Sequence, residues 1–282
     1  MSGRARRAVV PVAGLGTRLL PATKATPKEL LPVFDRPALA WVVAEAVEAG
    51  ITELVLVTHR TKSAIARYFA ADPELEATLD RAGKPELLRE VRGVAAGARI
   101  VSVRQDRPLG LGHAVFCAAP FVSTESFAVL LPDHLLPVSP LRRLLDAQAA
   151  SGGAAIALAE VTDPGRFGVI EGERRGDHVT VRRLVEKPPP GEAPSNLGIV
   201  GRYVLPADIL PVLAALTPGR GGEIQLTDAL AVLAAARRLQ GFRIDGPLCD
   251  TGDALGLLEA SLRYALASSR GDEVRSMIRG IG

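Results

Sequence analysis

The sequence predicts an α/β fold: a Rossmann-like, mixed but mostly parallel central sheet flanked by helices, with a small antiparallel part. Three observations predict it. Short apolar runs alternate with helix-length stretches through the first half, the pattern of strands joined by crossover helices. The first run, Ala8–Val12, breaks into a loop with Gly14 and Gly16, followed by Thr17, Arg18, Lys24 and Lys28. Past residue 160 the rhythm changes: Arg166–Ile170 and His178–Val185 alternate like antiparallel strands around a polar turn at Glu171–Asp177.

Taken in order, Pro37–Ala49 carries Leu39, Val42, Val43, Ala46 and Val47 at helical spacing, with Pro at its start and Gly50 past its end. Leu54–Val57 reads as a strand, Lys62–Ala71 and Pro73–Arg92 as helices, and Ile100–Val103 as a strand. A second paired-glycine loop, with Gly110 and Gly112, opens a helix through Ala119. Phe127–Leu131 is an apolar strand ending in Leu-Pro-Asp, Pro140–Ala150 a helix and Ala154–Ala159 a strand. Later come a Gly- and Val-rich strand at Asn196–Leu205, helices at Ala207–Ala215 and Leu226–Arg238, a last strand at Leu239–Ile244 and a closing helix at Ala254–Ala267. No repeat or linker interrupts the chain, so 1–282 reads as a single domain. Residues 1–150 form its first part, 151–252 its second, and 253–282 a C-terminal helix.

At 282 residues the chain buries a substantial core. The net charge of +3, without long blocks of like charge, gives no case for nucleic acid or a membrane surface. No apolar run approaches the ~18 residues of a membrane span, and the basic N-terminus leads into a first strand rather than a signal peptide. Two separated cysteines, Cys117 and Cys249, make neither a disulfide framework nor a zinc site and fit reduced thiols in a cytoplasmic protein. Only five residues are lysine, at 24, 28, 62, 84 and 187. Lys62 and Lys84 sit in polar, helical surroundings and read as surface residues.

Closely spaced glycines at a strand end let the backbone approach an anion, and Arg and Lys behind them suit phosphate. The Walker pattern is absent. The dinucleotide fingerprint fails at its third glycine, where Leu19 stands, and the second strand ends in Thr58-His59 instead of an acid. A nicotinamide-dependent oxidoreductase is therefore disfavoured. The stretch A-G-L-G-T-R-L-L-P-A-T-K-A-T-P-K-E-L-L-P-V resembles the signature loop of the sugar-phosphate nucleotidylyltransferases. L-G-L-G-H-A at 109–114, L-P-D at 131–133, F-G-V-I at 167–170, V-E-K-P at 185–188, P-S-N-L-G-I-V-G-R-Y at 194–203 and G-E-I-Q-L-T-D-A at 222–229 follow in that family's order. Ala13 in place of the commoner first glycine is similar to the bacterial uridylyl branch.

The resemblance implies transfer of the uridylyl group of UTP to α-D-glucose 1-phosphate with Mg²⁺, releasing pyrophosphate, in a cytoplasmic homodimer or homotetramer. A thymidylyltransferase is the nearest alternative. The attacking phosphate is already ionised, so positioning, cations and a metal carry the chemistry without a general base. Arg18 and Lys28 would grip the triphosphate. Asp133 and Asp250 would hold the metal, although Asp253 is a competing helix cap. Lys187 would contact the sugar phosphate and Glu186 the sugar hydroxyls, with Gly168 and Asn196 lining that pocket. Ala13, Gly14, Gly16, Thr17, Gln105, Gly110 and Gly112 would hold the nucleotide. Glu29 would touch the nucleotide or serve as a helix-start acid. His134, next to Asp133, departs from the aliphatic residue expected there.

Overall fold

The computed structural model describes residues 3–94 and 97–281. In chain order the elements are β1 (Arg7–Pro11), β2 (Pro32–Val33), β3 (Arg36–Pro37), α1 (Ala38–Glu48), β4 (Glu53–Thr58), α2 (Ser63–Phe69), α3 (Pro73–Arg81) and α4 (Pro85–Gly93). Next come β5 (Arg99–Arg104), α5 (Gly110–Cys117), α6 (Ala119–Val122), β6 (Phe127–Leu130), β7 (His134–Leu135), α7 (Leu141–Ser151) and β8 (Ala154–Glu160). The remainder holds β9 (Gly168–Arg175), β10 (His178–Glu186), β11 (Leu197–Leu205), α8 (Ile209–Ala215), α9 (Leu226–Ala235), β12 (Leu239–Arg243), β13 (Cys249–Asp250), α10 (Ala254–Ala267) and α11 (Gly271–Arg279).

Among the described residues nine strands form one mixed sheet in the order β5-β4-β1-β6-β11-β8-β12-β10-β9. β5, β4, β1 and β6 run parallel, as do β8 and β12, while β11 runs antiparallel between β6 and β8. Adjacent strand residues serve opposite faces: Val10, Leu54 and Leu56 pack into one core, Val9, Val55 and Val57 into the other. Burial on both faces is why these strands read as continuous apolar runs.

The antiparallel part continues this sheet. β10 pairs with β12 through His178–Thr180, next to its turn, and β9 pairs with β11 through Val169 and Gly198 at the hairpin's open end. A bulge between Val181 and Arg183 lets one ribbon make both attachments, since a bulge bends and over-twists a strand. The hairpin's open end thereby returns to the edge where β1, β6 and β8 finish.

Several predicted elements differ. The helix expected over Pro73–Arg92 is two, because Gly83 takes φ +63° and Pro85 starts a new helix. The polar turn expected at Glu171–Asp177 is strand up to Arg175. Its residues are exposed, so no apolar alternation marked it. The C-terminal helix expected over 253–282 is α10 followed by α11. The two-residue strands β7 and β13 are too short to leave a pattern.

One buried ion pair ties the frame to the site. The Arg202 side chain is fully buried and donates to both Glu45 oxygens, at 2.9 and 2.7 Å. It also donates to the carbonyls of Leu131 (3.1 Å) and Gly201 (2.9 Å). β11 is thus fastened to α1 and to the segment just before Asp133.

Candidate functional site

The carboxyl ends of β1, β6 and β8 and the returning end of the β9–β10 hairpin surround a cavity of about 690 Å³. Gly14, Arg18, Asp133, Arg166, Gly168, Glu186, Lys187 and Asp250 all line it. Open α/β sheets place ligands at this edge.

The first glycine loop forms one wall. Gly14 has nothing within 4 Å of the position of a side chain, whereas Gly16, at φ +67°, packs against Lys28 Cβ at 3.2 Å. Thr23 Oγ1 donates to the Gly16 carbonyl at 2.8 Å, closing the loop on itself. Ala13 and Thr17 belong to this loop, and Lys24 is exposed on a short turn behind it. Lys28 Nζ lies 2.5 Å from Asp133 Oδ2. Burial opposes charge on both groups, but the pairing overrides it. Asp133 is held well below the usual carboxylate range by the Lys28 ammonium, and Lys28 is raised by Asp133.

The sequence expectation for Lys62 is corrected here. Its side chain is buried, and Nζ donates to both Glu29 oxygens at 2.9 and 2.8 Å. Burial pushes Glu29 up and Lys62 down, which is why each needs the other. Glu29 does not line the cavity. It is paired with Lys62, so its carboxylate is engaged inside the protein.

The segments that carry the two proposed metal carboxylates are joined through β7 and β13. Asp250 pairs with His134, and both the amide and the hydroxyl of Thr251 donate to the Asp133 carbonyl, at 2.8 and 3.1 Å. Asp250 Oδ1 accepts from Gly252 N at 2.8 Å, and Oδ2 accepts from Arg166 Nη2 at 2.6 Å. Asp253 is the α10 cap, accepting from Gly256 N at 3.0 Å. No group of three or more His, Cys, Asp or Glu able to hold a metal exists among the described residues. Asp133 and Asp250 both line the cavity, and that donor set suits a hard divalent cation that takes one or two carboxylates and completes its shell with phosphate oxygens and water. His134 adds no ligand to that set. Its Nδ1 is buried against Gly201 without a hydrogen-bond partner, its ring lies 5.9 Å from that of Phe167, and burial lowers its pKa.

On the opposite wall, Glu186 pairs with Gly168 across the hairpin. Glu186 Oε2 accepts from Thr227 Oγ1 at 2.5 Å. Lys187 follows at φ +43°, a left-handed backbone uncommon outside glycine, and its amide donates to Phe167 O at 3.0 Å. Its side chain is 56% exposed, with Nζ 3.7 Å from Glu186 Oε1, free to swing toward a ligand. Asn196 is exposed and does not line the cavity; its carbonyl accepts from Val161 N at 2.9 Å.

Gln105 follows β5 and is buried, with Nε2 3.0 Å from both Gly110 O and His113 Nδ1. A side chain on Gly110 or Gly112 would come within 2.8 Å of the Ile224 carbonyl, and Gly112 N donates to that same oxygen at 2.8 Å. These glycines let the loop lie flush against residues 223–225. Gly110 also lines the cavity; Gly112 is buried behind it.

Arg166 and Thr227 are among the cavity residues that escaped sequence reasoning. Arg166 bridges Asp250 and Asp253, the latter at 3.3 Å. Thr227 fixes Glu186. Each stands inside or beside a recognised motif, but their partners lie 84 and 41 positions away.

The chain is 43% identical over 268 residues to a UTP–glucose-1-phosphate uridylyltransferase of Bacillus subtilis (strain 168), covering 93% of this chain and 92% of that relative. It is 43% identical over 275 residues to the Escherichia coli (strain K12) protein of that name, covering 93% and 91%. A UTP-bound UDP-glucose pyrophosphorylase structure from Acinetobacter baumannii superposes with a TM-score of 0.90 at 44% identity, covering 99% of this chain and all of that one. The Nucleotidyl transferase family matches residues 7–266, and the chain belongs to that family.

Proposed function

We propose that this nucleotidyltransferase transfers the uridylyl group of UTP to α-D-glucose 1-phosphate, giving UDP-glucose and pyrophosphate. The observation that carries the reading is one cavity lined by Arg18, Lys187, Asp133 and Asp250 together. Two phosphate-bearing substrates need that arrangement, and relatives at 43% identity bear the name of this reaction.

The sugar phosphate oxygen attacks the α-phosphorus of UTP; one P–O bond forms, the bond to pyrophosphate breaks, and no proton changes hands. Lys187 holds the attacking phosphate and Glu186, fixed by Thr227, accepts from the sugar hydroxyls. Arg18 meets the β- and γ-phosphates and the charge that builds as pyrophosphate departs. Lys28 keeps Asp133 ionised and aligned. Mg²⁺, held by Asp133 and Asp250, would supply the remaining charge neutralisation on the triphosphate. Gln105 reads the base. Neither cysteine lines the cavity, in keeping with direct displacement.

The whole chain acts as one domain in this reading. Both cysteines are free, which supports placing the reaction in the cytoplasm. No helix among the described residues is long and apolar enough to cross a membrane. A homodimer or homotetramer is supported by exposed Leu255, Leu258 and Ile281 at the C-terminal helices and is tested by light scattering.

Pyrophosphate release measured over a matrix of nucleoside triphosphates and sugar 1-phosphates tests the proposal. Turnover should peak with UTP and glucose 1-phosphate. A clear preference for dTTP would overturn the choice of base, and tight NAD(P)H binding with no pyrophosphate release would overturn the reaction class.

A further inference from the structure

We infer that His113 is a positioning residue for base selection: it holds the Gln105 amide in the orientation that accepts from uracil N3–H and disfavours cytosine. This rests on the uridylyl-transfer reading above and on Gln105 as the base reader.

The geometry leaves the amide one orientation. Gly110 O, 3.0 Å away, only accepts, so the amide atom facing it is the NH₂ group. The second hydrogen of that group points to His113 Nδ1, also at 3.0 Å. Nδ1 must then offer its lone pair, which fixes His113 as the neutral tautomer protonated on Nε2. Gly110 and His113 lie three residues apart in the first turns of α5, so the carbonyl and the ring share one face. Burial and the nearby Arg107 guanidinium both lower the His113 pKa, in the direction that keeps the ring neutral. Cys117 Sγ also lies against the ring, 3.8 Å from Nδ1 and 3.9 Å from Nε2.

With both amide hydrogens engaged, Gln105 Oε1 accepts no hydrogen bond from a described residue. In the uridylyl-transfer reading it is the acceptor that meets the base. Uracil offers N3–H to it. Cytosine presents a lone pair at N3, so two acceptors would face each other. An amide flip would suit cytosine, but it would set the Gln105 oxygen against Gly110 O and force His113 to move its proton from Nε2 to Nδ1. Gly110 opposes the flip from one side and His113 from the other. Without the imidazole acceptor, one of these two restraints is gone.

The test compares wild type with His113→Leu, His113→Ala and His113→Asn in steady-state pyrophosphate release with UTP and CTP. His113→Leu and His113→Ala remove the acceptor; in His113→Asn the amide oxygen can replace Nδ1. The first two should raise KM for UTP about tenfold and leave KM for glucose 1-phosphate unchanged. They should also narrow the UTP-to-CTP ratio of kcat/KM by roughly tenfold or more. His113→Asn should recover most of the wild-type ratio. If His113→Leu fails to fold, His113→Ala carries the same readout with less bulk. An unchanged UTP-to-CTP ratio in the folded variants, or an equal loss of kcat with both nucleotides, overturns the inference. Failure of the parent reading shows separately, as a wild-type protein that releases no pyrophosphate from UTP and glucose 1-phosphate.

Discussion

Gly252 offers a direct way to displace Arg18, the proposed triphosphate clamp, without disturbing the fold. A methyl group there would sit 2.5 Å from Arg18 Nη2, 3.0 Å from Arg18 Cζ and 2.8 Å from Asp250 Oδ1. Against a van der Waals separation of ~3.5 Å, the Arg18 guanidinium must retreat by about 1 Å. The clashing atoms are the far ends of side chains, and the backbone at Gly252 lies outside the left-handed region, so alanine fits the main chain. A misplacement of about 1 Å at a reacting group costs on the order of 100-fold in rate, equivalent to about 2.7 kcal/mol of transition-state stabilisation. Gly252→Ala should therefore lower kcat/KM for UTP about 100-fold in a pyrophosphate-release assay, while Tm moves by no more than about 3 °C. Wild-type kcat/KM in this variant would refute the placement of Arg18 at the reacting phosphates. A large fall in Tm would show that Gly252 serves the fold instead.

Gly256→Ala should behave in the opposite way. Its methyl group would meet the Asp250 carbonyl at 1.8 Å, a backbone atom that cannot swing aside, so thermal unfolding should show a loss of about 3 kcal/mol or more. Arg202→Leu leaves Glu45 buried without its partner and should cost about 3–5 kcal/mol in urea unfolding. Burial pushes the Cys249 thiol up to about 11, so at pH 8 it should stay unreacted toward a thiol reagent until the protein is unfolded. A raised folded pKa means stability present below the unfolded value of ~8.5 and lost as pH rises toward 11. Cys249→Ala should flatten the fall of Tm across that window, and an identical alkaline slope in both proteins would count against the burial argument.

What the sequence made legible follows from local chemistry. Arg18, Asp133, Glu186 and Lys187 sit at strand ends or in the loops leaving them, where an apolar run stops and charged residues begin. The cap at Asp253 and the separate placement of Asp250 in the preceding turn could be weighed from three residues of spacing. Lys62 shows where local reading stops. It stands among Arg60, Thr61 and Ser63, a polar helix start, yet it is buried because Glu29, 33 positions earlier, folds onto it. Arg166 is similar: its pairing with Asp250 depends on the β8–β9 loop passing over the β13 turn. Gln105 lay within reach as a base reader, but the hydrogen bonds that orient it arise only once α5 stacks beside the end of β5. Contacts across the sheet edge have no periodicity, so no pattern in the chain announces them.

The most direct test of the central claim follows the phosphorus. A ³¹P NMR time course of wild type and Asp133→Asn with UTP, glucose 1-phosphate and Mg²⁺ reads substrates and products together. The wild type should show UDP-glucose and pyrophosphate rising in equal amounts, and Asp133→Asn should be slowed by at least about 1,000-fold. Product formation by Asp133→Asn at the wild-type rate, or loss of UTP without UDP-glucose in the wild type, would contradict the account.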